Sequence, residues 1–420
     1  MPRGNAIYTQ SGGVTSVINA TACGVIRTAR VNRQKIDRVY AGHNGILGVL
    51  REDLVDTGQE READVDALRF TPGGAFGSCR YKLPDPDPDH PEYRRLLEVF
   101  KAHEVRFFFC NGGGDSQDTA WKVSQVCARA DYPLVSIGIP KTVDNDLQCT
   151  DTCPGFGSVA KYVATSVRET SLDLVSMCAS STKVFILEVM GRHAGWIAAA
   201  GGLAATRADE LPQVILFPEI PFDQQRFLEC VSANVTQHGY CVVVASEGTR
   251  YADGRFLFQV DDSRDAFGHA QFGGVAAVLA AMIRDMLEFK CHWAVADYLQ
   301  RSARHIASAT DVEQAYAVGR AAVEMSLSGL SGVMVSIVRE PGPEYRWTLG
   351  HVPLAQVANR ERKLPSAYIS SDGFGITDAA RSYLLPLIQG EEPPPYRGGL
   401  PAYVQLKKHR VKPRLSAFPG

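Results

Sequence analysis

The sequence predicts an α/β chain of two domains built on parallel-rich sheets. Three observations carry this. The chain is 420 residues long, more than one ordinary hydrophobic core organises. Short apolar, β-branched runs alternate with helical patterns along most of it, an order that places parallel strands between covering helices. Each of these strands ends in glycine plus a polar group, and in open α/β sheets ligands bind outside the carboxyl ends of the strands. Hydrophobic residues make up 45% of the sequence, which fills such cores and excludes global disorder. A formal net charge of −2 gives no electrostatic reason to expect nucleic acid or a membrane surface as a partner. No run approaches the roughly 20 apolar residues of a membrane span, and the start, MPRGN, lacks a signal peptide's apolar core. The ten cysteines follow no regular spacing, and no histidine stands near the closest pair, Cys149 and Cys153. Reduced thiols and a cytoplasmic location are therefore expected.

The first element is a strand at 6–9 that runs into Gln10-Ser11-Gly12-Gly13. A helix at 16–30 follows, with Val17, Ala20, Gly24, Val25 and Thr28 on one face. Strand, glycine turn and helix start make a cradle for an anion, because backbone N–H groups are exposed there and the helix dipole favours negative charge. The motif is neither a P-loop nor GxGxxG. A second short strand, at 38–41, precedes the glycine-rich loop TPGG at 71–74 and GSCRYK at 77–82. Its Arg80 and Lys82 suit a polyanionic phosphate, or stand as solvated charges. The PDPDPD run at 84–89 can be neither helix nor inner strand and reads as an exposed spacer. A helix at 92–103 and an apolar strand at 105–110 lead to Asn111-Gly112-Gly113-Gly114-Asp115-Ser116, before a helix that ends near 129. In this second cradle the turn can wrap a phosphate while Asp115 binds its magnesium.

The strand at 132–139 is central, and PKTVDND follows it at 140–146. Asp144 and Asp146 stand two residues apart where that strand ends, with Lys141 and Thr142 just before them. One carboxylate there can take a proton from a hydroxyl, and the second can hold a cation or position the first. The lysine can face phosphoryl oxygens. Read in isolation, the same residues also make an ordinary surface turn. CPGFGS at 153–158 opens a helix through 171, and a strand at 183–188 ends in MGRHAGW at 190–196 before an alanine-rich helix to 205. Strands at 214–217 and 240–245 flank a helix at 222–238, and the second strand ends at Ser246-Glu247-Gly248. A helix at 272–288 leads to Tyr298-Leu299-Gln300-Arg301, where Arg301 is a candidate for a terminal phosphate. A helix at 311–327 and an antiparallel pair at 332–338 and 346–352 follow. The proline-rich remainder shows no recognisable chemistry. Its basic cluster, Lys407, Lys408, His409, Arg410, Lys412 and Arg414, reads as a solvated, frayed end.

In order and spacing, Gly12-Gly13, Gly113 to Ser116, TVDND at 142–146, Met190-Gly191-Arg192 and Gln300-Arg301 resemble the phosphofructokinase family over roughly residues 5–340. PKTxDND, MGRHAGW, SEG and YLQR resemble its pyrophosphate-dependent branch, and residues 372–403 are similar to that branch's C-terminal extension. The resemblance implies two Rossmann-like domains with the active site in the cleft between them. It divides the chain into a donor domain of residues 1–140 joined by about 255–310, a sugar-phosphate domain of 141–254 joined by about 311–350, and an extension over 351–420. The implied reaction is reversible transfer of a phosphoryl group from pyrophosphate to the 1-hydroxyl of fructose 6-phosphate, with Mg2+, in glycolysis and gluconeogenesis.

By resemblance, Asp144 matches the family's general base, with Lys141, Thr142, Asp146 and Asp115 beside it in the catalytic group. Thr142, Val143, Asp144, Met190, Gly191, Arg192 and Glu247 match contacts to the sugar, and Tyr298, Leu299, Gln300 and Arg301 match the 6-phosphate clamp. Lys183 matches a basic residue that reaches in across a subunit interface, which implies a homodimer or homotetramer. Gly12, Gly13, Gly113, Gly114 and Ser116 match the donor cradle, to which the reading of the glycine-rich loop adds Arg80 and Lys82. Gly114 occupies the family's magnesium-binding aspartate position, a departure that leaves the metal ligand open, with Asp115 as the candidate for it. ATP-using relatives have glycine where Asp115 and Lys141 stand. A carboxylate there fills the space of an α-phosphate and repels it, while the lysine can neutralise a pyrophosphate. Two alternatives stand beside this reading. One is an ATP-dependent 6-phosphofructokinase with Asp115 and Lys141 turned from the donor. The other is a non-catalytic sugar-phosphate sensor, which Gly114 alone favours.

Overall fold

The computed structural model describes residues 3–206, 211–257 and 274–418. Two parallel-rich sheets organise it. The first draws on β1 (Gly4–Gln10), β2 (Ile36–Gly42), β3 (Leu54–Asp56), β4 (Val105–Gly112) and β5 (Val135–Pro140). The second uses β6 (Val184–Val189), β7 (Gln213–Leu216), β8 (Cys241–Ser246) and β9 (Cys291–Val295). The chain then returns to the first sheet with β10 (Val333–Arg339) and β11 (Trp347–Pro353). The strand orders are β11-β10-β5-β4-β1-β2-β3 and β7-β8-β6-β9, and within these two sheets, among the described residues, only the edge strands β3 and β11 run antiparallel. Helices of the N-terminal half are α1 (Ile18–Val31), α2 (Ile46–Leu50), α3 (Glu62–Ala67), α4 (Pro91–Ala102), α5 (Gly114–Arg129) and α6 (Phe156–Met177). Those of the second half are α7 (Trp196–Ala200), α8 (Gln224–His238), α9 (Val275–Leu287), α10 (Asp297–Ser302), α11 (Ala309–Ser328) and α12 (Asp378–Leu384). No helix among the described residues is long and apolar enough to cross a membrane.

Helices on both faces explain why the central strands are apolar without alternation. Phe107, Phe108 and Phe109 are consecutive in β4 and all buried, their rings divided between the cores on its two sides. Helices α1 and α11 cross at backbone contact. A Cβ on Gly24 would lie 2.3 Å from Tyr316 O, and one on Gly319 2.2 Å from Thr21 O, so larger residues would push the pair apart.

Two expectations about the second half need correction. Residues 255–310, expected with the first sheet, contribute β9, which pairs with β6 in the second. Residues 311–350, expected with the second sheet, contribute β10, which pairs with β5 in the first. Strand β9 was also not foreseen. It is an edge strand whose side chains are largely exposed, and CHWAV carries no clear apolar alternation. The expected start of the helix at 272 lies outside the described residues; the helix is described from Val275.

The basic tail is not frayed. It runs antiparallel along β3, with Asp56 N donating to His409 O (2.8 Å) and Val411 N to Leu54 O (2.9 Å). It thus covers an edge of the large sheet that would otherwise stand unpaired. Glu60 accepts Lys407 N and Lys408 N, and Glu52 accepts Arg414 N (2.6 Å), Leu415 N (3.1 Å) and His103 Nε2 (2.6 Å). Beside the Arg410 ion pair with Asp53 (2.6 Å), these anchors are main-chain N–H groups, which a count of side-chain charges does not reveal. Glu52 and His103 are both buried. Burial pushes the Glu52 carboxyl up, but its hydrogen bonds outweigh this and hold it below the ordinary range. Glu52→Ala removes the carboxylate shared by the tail and His103, so a loss of about 3 kcal/mol is expected. The midpoint of urea unfolding measures it, and an unchanged midpoint would show that the Glu52 anchor adds nothing to stability.

Candidate active site

The carboxyl ends of the strands from both sheets face one cavity of about 460 Å3. Ser11, Gly12 and Gly13 enter it after β1, Gly113 to Ser116 after β4, and Lys141 to Asp144 with Asp146 after β5. Met190, Arg192, His193 and Ala194 follow β6, Glu247 follows β8, and Asp297, Tyr298 and Arg301 follow β9 on α10. Arg80 and Glu361 complete the wall. Placing these groups at strand ends follows from parallel pairing, which directs every connection out of the same edge of a sheet.

The donor side is made by three turns tied together. Gly12 has φ +76°, a left-handed conformation that glycine adopts without strain. Gly12 N donates to Cys79 O, Ser78 Oγ donates to Gly12 O, and Ser11 N donates to Asn111 O, which joins the first cradle to the Arg80 loop and to β4. Lys141 is buried, and its Nζ donates to Gly13 O at 2.7 Å. A Cβ on Gly12 would sit 3.4 Å from that Nζ, so the amine lies against both glycines. Burial lowers the Lys141 amine to about 8. Asp144 and Asp146 oppose this, while Arg301 and Arg80 add to it. Arg301 also reaches this side, since a Cβ on Gly13 would meet its Nη1 at 2.6 Å. Its guanidinium lies 3.7 Å from the Tyr298 ring centroid.

Asp144 and Asp146 occupy a tight turn. Asp144 N donates to Thr142 Oγ1 at 3.1 Å, and Asn145 between the two carboxylates has φ +54°. Burial pushes the Asp144 carboxyl up to about 7. Asp146 and Glu247 add to the shift, while Lys141 and Arg192 oppose it. Asp146 is also raised, by burial and by the charge of Glu361. A carboxyl with its pKa near neutrality, facing a cleft, suits proton transfer from an alcohol. On the opposite wall Ser246 Oγ donates to Gly191 O (2.6 Å) and Glu247 N donates to Val189 O (2.9 Å), which ties the ends of β6 and β8 together. Burial raises the Glu247 carboxyl, and Arg192 opposes the shift.

Most of the expected residues converge here, but five do not line the cavity. Gly191, at φ +126°, shapes the turn from behind. Gln300 is buried and braces the loop instead, accepting Met190 N and donating to Asp297 O. Leu299 and Lys82 are exposed and do not line the cavity, and Lys183 donates to Cys178 O. The cavity gains Ser11, His193, Ala194, Asp297 and Glu361, none of which had been assigned a role. His193 was visible inside MGRHAGW. Its ring Nδ1 lies 2.9 Å from Glu361 Oε1, a partner 168 positions away that no local spacing announces.

Among the described residues no three His, Cys, Asp or Glu side chains converge as a metal cage. Mg2+ commonly keeps waters and takes one or two carboxylates plus substrate phosphates. Asp115 fits that use. It stands in the first turn of α5 facing the cavity, and a Cβ on Gly114 would meet nothing within 4 Å.

Glycine cradles, cations and a perturbed carboxylate pair around one cleft define a site for phosphoryl transfer between two phosphate-bearing molecules. The sequence model of the family described as Phosphofructokinase matches residues 5–326, and the chain belongs to that family. It is 62% identical over 413 residues to the pyrophosphate–fructose 6-phosphate 1-phosphotransferase of Methylococcus capsulatus, covering 98% of each chain. The enzyme of the same name from Halomonas elongata is 58% identical over the full length of both chains. The crystal structure of pyrophosphate-dependent phosphofructokinase from Nitrosospira multiformis superposes with a TM-score of 0.92. It is 58% identical, over 99% of this chain and 100% of that one.

Proposed function

We propose that this chain transfers a phosphoryl group reversibly between pyrophosphate and the 1-hydroxyl of fructose 6-phosphate. The observation that carries the reading is Lys141, a buried amine held against Gly12 and Gly13 and facing the Asp144–Asp146 turn. Pyrophosphate lies across the two glycine cradles, with Lys141 and Arg80 neutralising its charge. The sugar lies against Met190, Arg192 and Glu247, and Asp144 takes the proton of its 1-hydroxyl. The hydroxyl oxygen forms a bond to the near phosphorus, the bridging P–O bond breaks, and orthophosphate leaves. Asp115 would hold Mg2+, which would supply further charge neutralisation when bound. The high identity to two enzymes named for this reaction supports the assignment.

Exposed Trp293, Val295, Tyr298 and Leu299 on and beside the edge strand β9 suit a contact with a second copy, and Lys183 N bonds Lys290 O next to that edge. A homodimer or homotetramer in which Lys183 reaches a neighbouring site is therefore part of the proposal. So is a cytoplasmic location, which follows from a role in glycolysis and gluconeogenesis.

The reverse reaction tests the assignment. Fructose 1,6-bisphosphate, orthophosphate and Mg2+ are expected to yield pyrophosphate, followed by phosphorus NMR; no pyrophosphate from a protein that binds the bisphosphate would sink it. The pH profile follows from the two shifted groups. Asp144 works deprotonated, so kcat/KM rises with pH through about 7, whereas Lys141 works protonated, so it falls again through about 8. A rate that is flat from pH 6 to 9 would contradict these roles.

A further inference from the structure

We propose that Arg362, in the C-terminal extension, is a positioning residue that holds the Asp144–Asp146 turn in its working geometry. The inference rests on the reading of Asp144 as the base. Asn145 is fully buried between the two carboxylates and has left-handed backbone, so something must hold it there. Arg362 does so from a different part of the chain. Its Nε and Nη2 donate to Asn145 O at 3.2 and 2.9 Å, and its Nη1 donates to Thr150 O (2.6 Å) and Asp151 O (2.8 Å). Its backbone N donates to Asp146 O at 2.6 Å. Three carbonyls thus turn toward one guanidinium, and two peptide units of the turn are fixed by one residue. Tyr383 in α12 adds a second clamp, since its hydroxyl accepts Asn145 Nδ2 at 3.0 Å.

Arg362 also contacts the helix that follows the sugar-side loop. Its guanidinium lies 4.7 Å from the Trp196 ring centroid, and Trp196 Nε1 donates to Arg362 O at 3.2 Å. Trp196 opens α7, which directly follows the loop carrying Arg192. One residue therefore spaces the carboxylates against the sugar-side loop. A lysine cannot replace it, because a single ammonium lacks the planar fork that serves three carbonyls. Both clamp residues lie outside the 5–326 span matched by the family's sequence model, so the clamp belongs to the extension.

The test compares wild-type protein with Arg362→Ala, Arg362→Lys, Tyr383→Phe and Asp144→Asn in steady-state assays with pyrophosphate. Loss of fixed geometry predicts a ~10- to 100-fold fall in kcat for Arg362→Ala, with both KM values within about twofold of wild type. Guanidinium ion added to that variant is expected to restore part of kcat, and Arg362→Lys is expected to restore little. Tyr383→Phe removes one hydroxyl and is expected to lower kcat several-fold in a protein that still folds. It carries the test if Arg362→Ala does not fold. The double variant Asp144→Asn, Arg362→Ala is expected to be no slower than Asp144→Asn alone. Unchanged kcat in folded Arg362→Ala or Tyr383→Phe, or a loss confined to KM, overturns the proposal while leaving the base in place. Full activity in Asp144→Asn instead removes the reading of the base on which the proposal rests.

Discussion

Asp144→Asn is expected to lower kcat with pyrophosphate by about 100- to 10,000-fold while leaving fructose 6-phosphate bound. Asparagine keeps the size of the side chain and its place in the turn, and removes only the capacity to accept a proton. The carboxyl sits where burial and the charges of Asp146 and Glu247 raise it to about 7, and where Lys141 and Arg192 keep it from rising further. Moving any of those charges is therefore expected to shift the acid limb of the pH profile, and removing Asp144 to abolish it. Isothermal titration with fructose 6-phosphate separates binding from turnover. Wild-type kcat in Asp144→Asn would assign proton transfer to another group.

The second large effect concerns the donor. Lys141→Gly combined with Asp115→Gly is expected to lower kcat/KM for pyrophosphate by about 100- to 1,000-fold, because the cation that the proposal sets against the transferred group is lost. The same double variant is expected to gain measurable turnover with ATP. Its two glycines remove both the repelling carboxylate and the amine that sits against Gly12 and Gly13. Rates with each donor in one preparation measure the exchange. If the pyrophosphate rate falls and ATP is still refused, other walls of the cavity exclude the nucleotide.

Much of this site was legible because its parts are local. Each cradle is a strand end, a glycine turn and a helix start within a dozen residues, and Gly12, Gly113, Lys141, Asp144, Arg192 and Glu247 all enter the cavity as expected. What the sequence hid is held by contacts between distant segments. Glu361 approaches His193, Arg362 grips Asn145, and the tail lies along β3, each joining positions more than 160 residues apart. The extension read as featureless because its work is done largely by backbone groups and by one arginine among many. The exchange of the late strands between sheets had a related cause. An exposed edge strand such as β9 carries little periodic signal, and nothing in the apolar run of β10 says which sheet it will join.

The most direct test of the donor assignment is the initial rate of fructose 1,6-bisphosphate formation from fructose 6-phosphate and Mg2+, with pyrophosphate in one tube and ATP in the other. Turnover with pyrophosphate and none above background with ATP is the expected result. Turnover with ATP alone would contradict the roles given to Lys141 and Asp115.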